Sequence, residues 1–572
     1  MVPDEETSVD QVKVTIDETT GSVPANSTIL NAARLMGVDI PTLCDHPAIE
    51  PIGACRICLV EIEKQRALQP ACTFQVSDGM VVHTESPRVV ESRRFVLQLL
   101  FSERNHFCMF CQMSGSCELQ DLAYRYGLDH WEYDRAFPKL SVDASREYFA
   151  TDHNRCILCR RCVRACHTLV GNGTLGVKGR GVEAMIFADA DVPLGESSCV
   201  SCGTCLQVCP TGALMDRASA FMGATDEIDR TKTTCTFCSV GCGAELITRD
   251  NRVIRVEGDW DAEPNHGLLC EIGRFGLLHE TRRRVRRPLI RGEKGLAEAS
   301  WDEALAGVAG PLRAAGDKTC VVISGLASTE AARAIVQGLP GEKALMEGAL
   351  SGDGRSPLSV LDEADVCLVA KTDLTLNYQV AGFAIKRGAH HRGARVIVLD
   401  DRENGLDPWA FRKFAPEELS KAVAIAKDAQ QPAIVYGPGG AALAAQLARA
   451  LPRATLVGFP PGANSLGIAS AGVSAPFVPN GAPVYYVLAA ESEQVSDALL
   501  DALRWAEFVA VQACFREPWE DVAHVILPSP TAHEKNGTVT NREGRAGRVV
   551  AAATSGLPSE VEVIERLAAL LG

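Results

Sequence analysis

The sequence predicts a multidomain protein in which small α+β domains precede a larger α/β domain. The chain has 572 residues, which is more than usually fold around a single hydrophobic core. Nineteen of its 22 cysteines lie before residue 271, in closely spaced groups. Residues 288–572 instead alternate short apolar runs with alanine-rich stretches, which is typical of an α/β domain with a mostly parallel sheet.

Composition and charge exclude several classes of protein. The net charge of −15 argues against a nucleic-acid partner. No run of eighteen apolar residues is present, so no membrane span is expected. The acidic first residues lack the basic-then-apolar pattern of an export signal. Cysteines in this number, without such a signal, indicate metal ligands in a reducing cytoplasm rather than disulfides.

Residues 148–222 contain the spacing C-x2-C-x2-C-x3-C twice, which is the ligand pattern of bacterial ferredoxins with two 4Fe–4S clusters. In that pattern the fourth cysteine of each half binds the other cluster. The predicted ligands of the first cluster are Cys156, Cys159, Cys162 and Cys209. The predicted ligands of the second cluster are Cys199, Cys202, Cys205 and Cys166. Structural zinc is the alternative, although zinc sites usually show only paired C-x2-C spacing.

Three arginines, Arg160, Arg161 and Arg164, lie between these ligands. They are predicted to offset the charge of the clusters and raise their reduction potential. The alternative is a solvated basic face, and the sequence does not separate the two interpretations.

Residues 10–90 begin with a strand signal at Val12, Val14 and Ile16, followed by a helical run. Four cysteines follow with the spacing C-x10-C-x2-C-x13-C: Cys44, Cys55, Cys58 and Cys72. The segment from Gly53 to Glu61 resembles the N-terminal 2Fe–2S domain shared by complex I and iron hydrogenases. This resemblance implies a β-grasp fold with one 2Fe–2S cluster, and a zinc ribbon is the alternative.

Residues 91–135 hold three cysteines, Cys108, Cys111 and Cys117, which leave a 4Fe–4S cluster one ligand short. The stretch resembles the His–Cys-ligated 4Fe–4S site of the complex I family. There the histidine usually lies four residues before the first cysteine, a position occupied here by Arg104, which cannot ligate. His106 is therefore the predicted fourth ligand, and a surface histidine beside a cluster completed in another way is the alternative.

Residues 230–286 carry a further set with the spacing C-x2-C-x3-C-x27-C: Cys235, Cys238, Cys242 and Cys270. The set resembles the 4Fe–4S domain that opens molybdopterin oxidoreductases and the large iron–sulfur subunit of complex I. Zinc is again the alternative. The basic stretch from Thr281 to Pro288 is predicted to be a solvated or interdomain strap rather than a nucleic-acid site.

Residues 288–572 are predicted to form an α/β domain. The strand candidates are Cys320–Ser324, Val366–Ala370, Arg395–Leu399, Ala433–Tyr436, Val484–Leu488 and Phe508–Gln512. The segment from Glu534 to Arg545 resembles a cofactor-side signature of molybdopterin oxidoreductases. The resemblance places the metal-ligating residue between Ser324 and Asp362, where no cysteine occurs, and the domain is shorter than active members usually have. A truncated, degenerate molybdopterin-type domain without its cofactor is therefore expected.

Three cysteines remain outside all of these sets: Cys320, Cys367 and Cys514. The first two lie in apolar runs, where a free cysteine behaves as a small hydrophobic residue. No chemistry is assigned to any of the three.

Nearly the whole chain resembles the large iron–sulfur subunit of complex I. The double ferredoxin pattern is shared with electron-transfer subunits of soluble NAD-linked hydrogenases and formate dehydrogenases, and of bifurcating relatives. The resemblance implies one 2Fe–2S and four 4Fe–4S clusters, with no molybdopterin, no flavin and no substrate site of the chain's own.

The implied function is an electron relay in a multisubunit cytoplasmic NAD(H)-linked oxidoreductase. The implied partners are a flavin- and NAD-binding Fe–S subunit of complex I type, a small 2Fe–2S thioredoxin-like subunit and a terminal catalytic subunit. Two other functions stay open: a catalytic molybdopterin-dependent subunit similar to formate dehydrogenase, and a zinc-binding scaffold.

Overall fold

The computed structural model describes residues 10–222, 224–348, 354–493 and 495–572. The chain divides into two compact units. The first unit contains residues 1–200 and 204–227, and the second contains residues 201–203 and 228–572. The predictions made on the first nine residues, and on residues 349–353 of the segment between Ser324 and Asp362, lie outside the described residues.

The first unit combines short strands with few helices. Its strands are β1 (Gln11–Ile16), β2 (Thr19–Pro24), β3 (Leu59–Ile62), β4 (Gln69–Pro70), β5 (Met80–His83), β6 (Val142–Asp143), β7 (Phe149–Asp152), β8 (Leu175–Lys178), β9 (Met185–Ala188) and β10 (Leu214–Asp216). Its helices are α1 (Ile29–Leu35), α2 (Pro87–Glu103), α3 (Glu118–Arg125), α4 (Arg161–Arg164) and α5 (Thr204–Gln207).

The N-terminal sheet has the mixed topology expected of the predicted β-grasp domain. Its strand order is β2-β1-β5-β3-β4, and β1 runs parallel to β5 whereas the other neighbours are antiparallel. Alternation along β1 buries Val14 and Ile16 against Ile29 and Leu30 of α1. Thr28 caps α1, because its hydroxyl accepts a hydrogen bond from the backbone N–H of Asn31.

The remainder of the first unit places ligand loops between short elements. Helix α2 begins at a Ser86 N-cap followed by Pro87, which suits the first helical position. A three-stranded sheet of order β10-β7-β6 and a hairpin of β8 and β9 follow. The hairpin lies in the glycine-containing spacer between the two ferredoxin motifs.

The second unit alternates strands and helices after a small antiparallel sheet. Its strands are β11 (Asp229–Thr234), β12 (Gly243–Arg249), β13 (Arg252–Gly258), β14 (Leu289–Gly292), β15 (Gly295–Glu298), β16 (Thr319–Ile323), β17 (Glu342–Leu345), β18 (Val366–Ala370), β19 (Arg395–Leu399), β20 (Ala410–Phe414), β21 (Pro432–Tyr436), β22 (Thr455–Gly458), β23 (Val484–Ala490), β24 (Phe508–Ala513), β25 (Val525–Pro528), β26 (Gly537–Thr540) and β27 (Ala546–Val549). Its helices are α6 (Glu271–Phe275), α7 (Trp301–Ala315), α8 (Thr329–Gly338), α9 (Val360–Glu363), α10 (Leu374–Asn377), α11 (Gln379–Arg392), α12 (Leu419–Ala426), α13 (Ala441–Ala450), α14 (Ser465–Ser470), α15 (Asp497–Arg504) and α16 (Glu560–Leu571).

Two sheets form the α/β part of the second unit. The seven-stranded sheet has the order β15-β14-β25-β24-β23-β16-β17, in which the run from β25 to β17 is parallel. The five-stranded sheet has the order β20-β19-β18-β21-β22 and is parallel throughout. All five residues of β16 are buried, as expected for a parallel strand covered on both faces. Together these sheets confirm the predicted multidomain α+β and α/β fold class.

A buried ionic group lies in the second unit. The Lys535 ammonium is 3.4 Å from Oε2 of Glu491 and 3.4 Å from Oε1 of Glu560. The hydroxyl of Ser529, directly after β25, donates a hydrogen bond to the same oxygen of Glu560 at 2.9 Å. The two carboxylate side chains are 1% and 3% exposed, so the lysine is their main counter-charge.

Of the helices that the structure describes, none combines the length and the apolar character needed to cross a bilayer.

Candidate metal centres

The four cysteines predicted to bind the 2Fe–2S cluster lie in the first unit on three neighbouring loops. The backbone N–H of Cys55 donates to Sγ of Cys44 at 3.4 Å. The Cys58 thiol is hydrogen-bonded to Cys72, and this bond raises the pKa of Cys58 well above the usual range. Gly53 has φ of +63° and allows the loop to turn just before Cys55. The structure therefore brings the four sulfur atoms together as two adjacent pairs.

A buried arginine holds the loop that carries Cys58. The Arg93 side chain on α2 is fully buried, and its guanidinium donates to the carbonyl oxygens of Ile57 and Leu59, both at 3.0 Å. It also donates to Glu85 at 2.8 Å and to the Tyr126 hydroxyl at 2.7 Å. Sequence reasoning missed this residue, because an arginine within a helix gives no local sign of a partner 34 to 36 positions away.

The predicted His–Cys centre is a cavity lined by His106, Cys108, Cys111 and Cys117. Nε2 of His106 is buried and has no hydrogen-bond partner among the described residues. Burial, with help from Arg155, lowers the pKa of His106 to about 4, so the imidazole is neutral. A buried neutral imidazole nitrogen beside three thiols fits a metal ligand, because an unsatisfied buried polar atom is costly. The residues present therefore fit a 4Fe–4S cluster with His106 as the proposed fourth ligand.

Arg104, which occupies the usual histidine position, has a structural role. Its side chain is buried, and its guanidinium donates to the carbonyl oxygen of His153 at 3.1 Å and to that of Ala184 at 2.5 Å. It thereby connects the end of α2 with the region before the first ferredoxin motif and with the residue that precedes β9.

The cysteines predicted for the first ferredoxin cluster line one cavity of about 590 Å³: Cys156, Cys159, Cys162 and Cys209. Leu158 and Arg160 adopt left-handed backbone conformations, with φ of +53° and +60°, so the chain turns tightly around the thiols. Burial raises the pKa of Cys156 to about 11 and that of Cys159 to about 12. Bound iron would lower these pKa values, because cysteine binds iron as the thiolate.

The second ferredoxin set is distributed over both units. Cys166 lies in the turn that follows α4, and Cys199 and Cys205 belong to the first unit as well. Cys202 belongs to the segment 201–203 of the second unit. The assignment of these four ligands to one cluster stays a prediction from their spacing.

The arginines between these ligands differ in their surroundings. Arg160 is exposed. The Arg161 side chain is 3% exposed, and its guanidinium donates to both carboxylate oxygens of Glu118, at 2.7 and 2.9 Å. The interpretation as a solvated basic face is therefore wrong for Arg161.

The fourth predicted 4Fe–4S set lies within the second unit. Gly273 of α6 packs against two of its thiols, because a Cβ there would lie 3.4 Å from the sulfur atoms of both Cys235 and Cys270. The backbone N–H of Gly273 also donates to Sγ of Cys270 at 3.2 Å. Burial raises the pKa of Cys235 to about 12 and holds the pKa values of Cys238 and Cys242 well above the usual range. The four thiols lie close enough to interact with one another and fit a 4Fe–4S cluster, whose iron would bind them as thiolates.

The segment that resembles a molybdopterin signature holds the loop of this fourth cysteine set. The segment includes β26, and its residues 541–545 form the turn between β26 and β27. The Asn541 amide donates to the carbonyl oxygen of Val240 at 3.3 Å, and the backbone N–H of Arg542 donates to that of Ser239 at 2.7 Å. Gly241 has φ of +66°, and a Cβ there would lie 2.6 Å from Cβ of Asn541.

The Arg542 side chain is also engaged within the protein. Its guanidinium donates to the carbonyl oxygens of Gly458 at 2.9 Å and Gly354 at 2.8 Å, and it lies over the Phe459 ring. Both signature residues therefore make contacts that stabilise the fold, a role that the resemblance did not indicate.

The three unassigned cysteines, Cys320, Cys367 and Cys514, are all at most 1% exposed. In the basic strap, Arg282 and Arg284 are mostly buried and pair with Glu280 and Glu534. Of the two predicted forms of the strap, solvated or interdomain, the solvated form is wrong for these two arginines.

Family profiles match five consecutive segments of the chain. Residues 9–87 match a 2Fe-2S iron-sulfur cluster binding domain, and residues 93–131 match the NADH-ubiquinone oxidoreductase-G iron-sulfur binding region. Residues 155–213 match a 4Fe-4S dicluster domain. Residues 228–280 match the molybdopterin oxidoreductase Fe4S4 domain, and residues 284–441 match the molybdopterin oxidoreductase profile.

Three relatives illustrate the range of similar proteins. An NADH-quinone oxidoreductase subunit of Rhizobium meliloti is 39% identical over 51% of this chain and 34% of its own length. NADP-reducing hydrogenase subunit HndD of Solidesulfovibrio fructosivorans is 42% identical over 36% of each chain. NADH-quinone oxidoreductase subunit 3 of Thermus thermophilus is 28% identical over 93% of this chain and 79% of its own length.

The matched part spans about a third of the length of the Rhizobium and Solidesulfovibrio relatives. The order of matched segments nevertheless repeats the order of the cysteine sets along the chain. In the content and order of its iron–sulfur segments, the chain is therefore similar to iron–sulfur electron-transfer subunits of NADH- and NADPH-linked oxidoreductases, among them subunits of NADH-quinone oxidoreductase and of NADP-reducing hydrogenase.

Proposed function

We propose that this chain is the electron relay of a multisubunit cytoplasmic NAD(H)-linked oxidoreductase. It carries single electrons between a flavoprotein partner that exchanges hydride with NAD(H) and a terminal redox partner such as a hydrogenase or a formate dehydrogenase. Electron bifurcation is compatible with the same arrangement of centres.

The observation that carries the proposal is the close connection between predicted ligand sets within the first unit. Arg161 lies next to Cys162, and its guanidinium binds Glu118, the residue after Cys117. The same guanidinium approaches the carbonyl oxygen of Val208, the residue before Cys209, at 3.5 Å. One side chain thus contacts backbone neighbours of ligands to the His–Cys centre and to the first ferredoxin centre.

Iron–sulfur clusters, when bound, accept and release single electrons, and their potentials depend on charge, hydrogen bonds and burial. The chain's own residues supply those conditions. They hold the thiols in buried loops, keep His106 neutral, and place arginine guanidinium groups beside the loops. In this proposal the substrate chemistry belongs to partner subunits.

The proposed partners are a flavin- and NAD-binding Fe–S subunit of complex I type, a small 2Fe–2S thioredoxin-like subunit and a terminal catalytic subunit. The relatives described as NADH-quinone oxidoreductase and NADP-reducing hydrogenase subunits support this choice. Affinity purification of the full chain from its native cells, with identification of the copurifying subunits, tests it. Recovery of the chain without any flavoprotein would contradict the proposal.

Metal analysis of the anaerobically purified full chain tests the cluster content. We expect about eighteen irons with matching sulfide, from one 2Fe–2S and four 4Fe–4S centres. Reduction should give EPR signals of both cluster types. Stoichiometric zinc in place of iron would show that the zinc-scaffold interpretation is correct.

A catalytic molybdopterin-dependent subunit is the second candidate, because residues 284–441 match the molybdopterin oxidoreductase profile. The contacts of Asn541 and Arg542 with protein carbonyl groups favour a structural use of the signature instead. Stoichiometric molybdenum or tungsten, together with formate oxidation by the isolated chain, would establish the second candidate. We expect neither.

A further inference from the structure

Arg164 joins two loops that carry ligands of different predicted clusters. It is the last residue of α4, between Cys162 and Cys166. Its guanidinium donates through Nη1 to the carbonyl oxygen of Glu50 and through Nη2 to that of Cys44. Nη2 also lies 3.5 Å from the carbonyl oxygen of Cys159. The main chain at a predicted 2Fe–2S ligand is thus connected to the main chain at a predicted 4Fe–4S ligand.

The surroundings of Arg164 differ from those of Arg161. Arg161 is neutralised by the carboxylate of Glu118, whereas the hydrogen bonds found for Arg164 in the described part of the chain all go to carbonyl oxygens. Nε of Arg164 is buried without a partner among the described residues. Because carbonyl groups carry no net charge, the positive charge of Arg164 is directed at the two ligand loops, and no carboxylate of the described part of the chain pairs with it. The planar fork of arginine can bind two carbonyl groups at once, which the single ammonium of lysine does less well.

We propose that Arg164 is a positioning residue for electron transfer between the 2Fe–2S centre and the 4Fe–4S centre of Cys156, Cys159, Cys162 and Cys209. The fork fixes the separation of the two ligand loops, and the charge favours the reduced state of the adjacent clusters. This inference rests on the proposed function and on the ligand sets given above.

The two contributions can be separated by two substitutions in the full, cluster-loaded chain. Arg164→Gln removes the charge and the fork, whereas Arg164→Lys keeps the charge and removes the fork. Arg180→Gln is the matched control, because Arg180 is an exposed arginine of the same unit and loses the same charge. The readouts are an EPR-monitored redox titration of the 2Fe–2S signal and its microwave power saturation, which reports a neighbouring paramagnetic cluster.

We expect Arg164→Gln to lower the ratio of reduced to oxidised 2Fe–2S about tenfold at the wild-type midpoint, equal to about 59 mV for a one-electron couple. We also expect its signal to saturate at lower power. Arg164→Lys should keep the midpoint but show the lower saturation power, and Arg180→Gln should match wild type in both. If the glutamine variant loses a cluster, the saturation measurement on the lysine variant decides whether the fork of Arg164 positions the two ligand loops.

The inference would be overturned if both Arg164 variants had the midpoint potential and the saturation power of the wild-type chain. That result would leave the proposed function intact. Failure of the proposed function would be visible separately, since the wild-type chain would then lack one of the two EPR signals.

Discussion

Replacing Arg93 should loosen the 2Fe–2S domain, because this buried side chain holds the loop of Cys58 from both sides. In Arg93→Met the carbonyl oxygens of Ile57 and Leu59 lose charge-assisted hydrogen bonds of 3.0 Å. At about 1.5 kcal/mol for each bond to a charged group, the loss is about 3 kcal/mol. The ion pair with Glu85 adds about 0–1 kcal/mol, since that carboxylate is 43% exposed.

A loss of about 3 kcal/mol lowers the melting temperature of a domain of this size by about 12–24 °C. The assay is thermal loss of the visible circular dichroism of the 2Fe–2S centre in the full chain. Arg88→Met is the control, because Arg88 lies on the same helix, is 50% exposed, donates to the carbonyl oxygen of Arg66 and lies 4.0 Å from Oε1 of Glu61. If both variants lost the signal at the same temperature, the assignment of Arg93 as the residue that holds the loop would be refuted.

Further substitutions test three other parts of the structure. Lys535→Met leaves two buried carboxylates without their cation and should cost about 3–5 kcal/mol in thermal unfolding; adding Glu491→Gln should recover part of that loss, and no recovery would contradict the ionic explanation. Asn541→Ala should reduce the iron content by about four and remove one 4Fe–4S EPR signal, and an unchanged spectrum would show that the turn does not hold the cluster loop. Cys159→Ala should likewise remove one centre, whereas Cys320→Ala should leave every signal unchanged; the reverse result would invalidate the ligand assignment.

Local patterns were enough to predict much of the fold. The strand expected at Val366–Ala370 has those bounds in the structure, and the one expected at Cys320–Ser324 is displaced by one residue. Buried parallel strands are continuous apolar runs, so their positions can be read without knowing their neighbours. The cysteine sets are equally local, because three ligands of each cubane fall within one loop.

The residues that support the ligand loops could not be predicted in the same way. Arg93, Arg164 and Asn541 each act on main-chain carbonyl groups, which every residue carries and which therefore leave no trace in the partner's sequence. Their partners lie 36, 120 and 301 positions away. His106 is an intermediate case: its candidacy followed from a missing ligand, but its buried, unpartnered nitrogen is visible only in three dimensions.

The contact between Asn541 and Val240 has a consequence for biosynthesis. The two residues are separated by 301 positions, so the ribosome must add that length after the loop has emerged before the contact can form. At about 5–20 residues per second the delay is about 15–60 seconds. During that interval the thiols of Cys235, Cys238 and Cys242 lack their closing segment and are open to oxygen and to competing metals. Delivery of iron and sulfide to this site should therefore follow synthesis of the turn at Asn541.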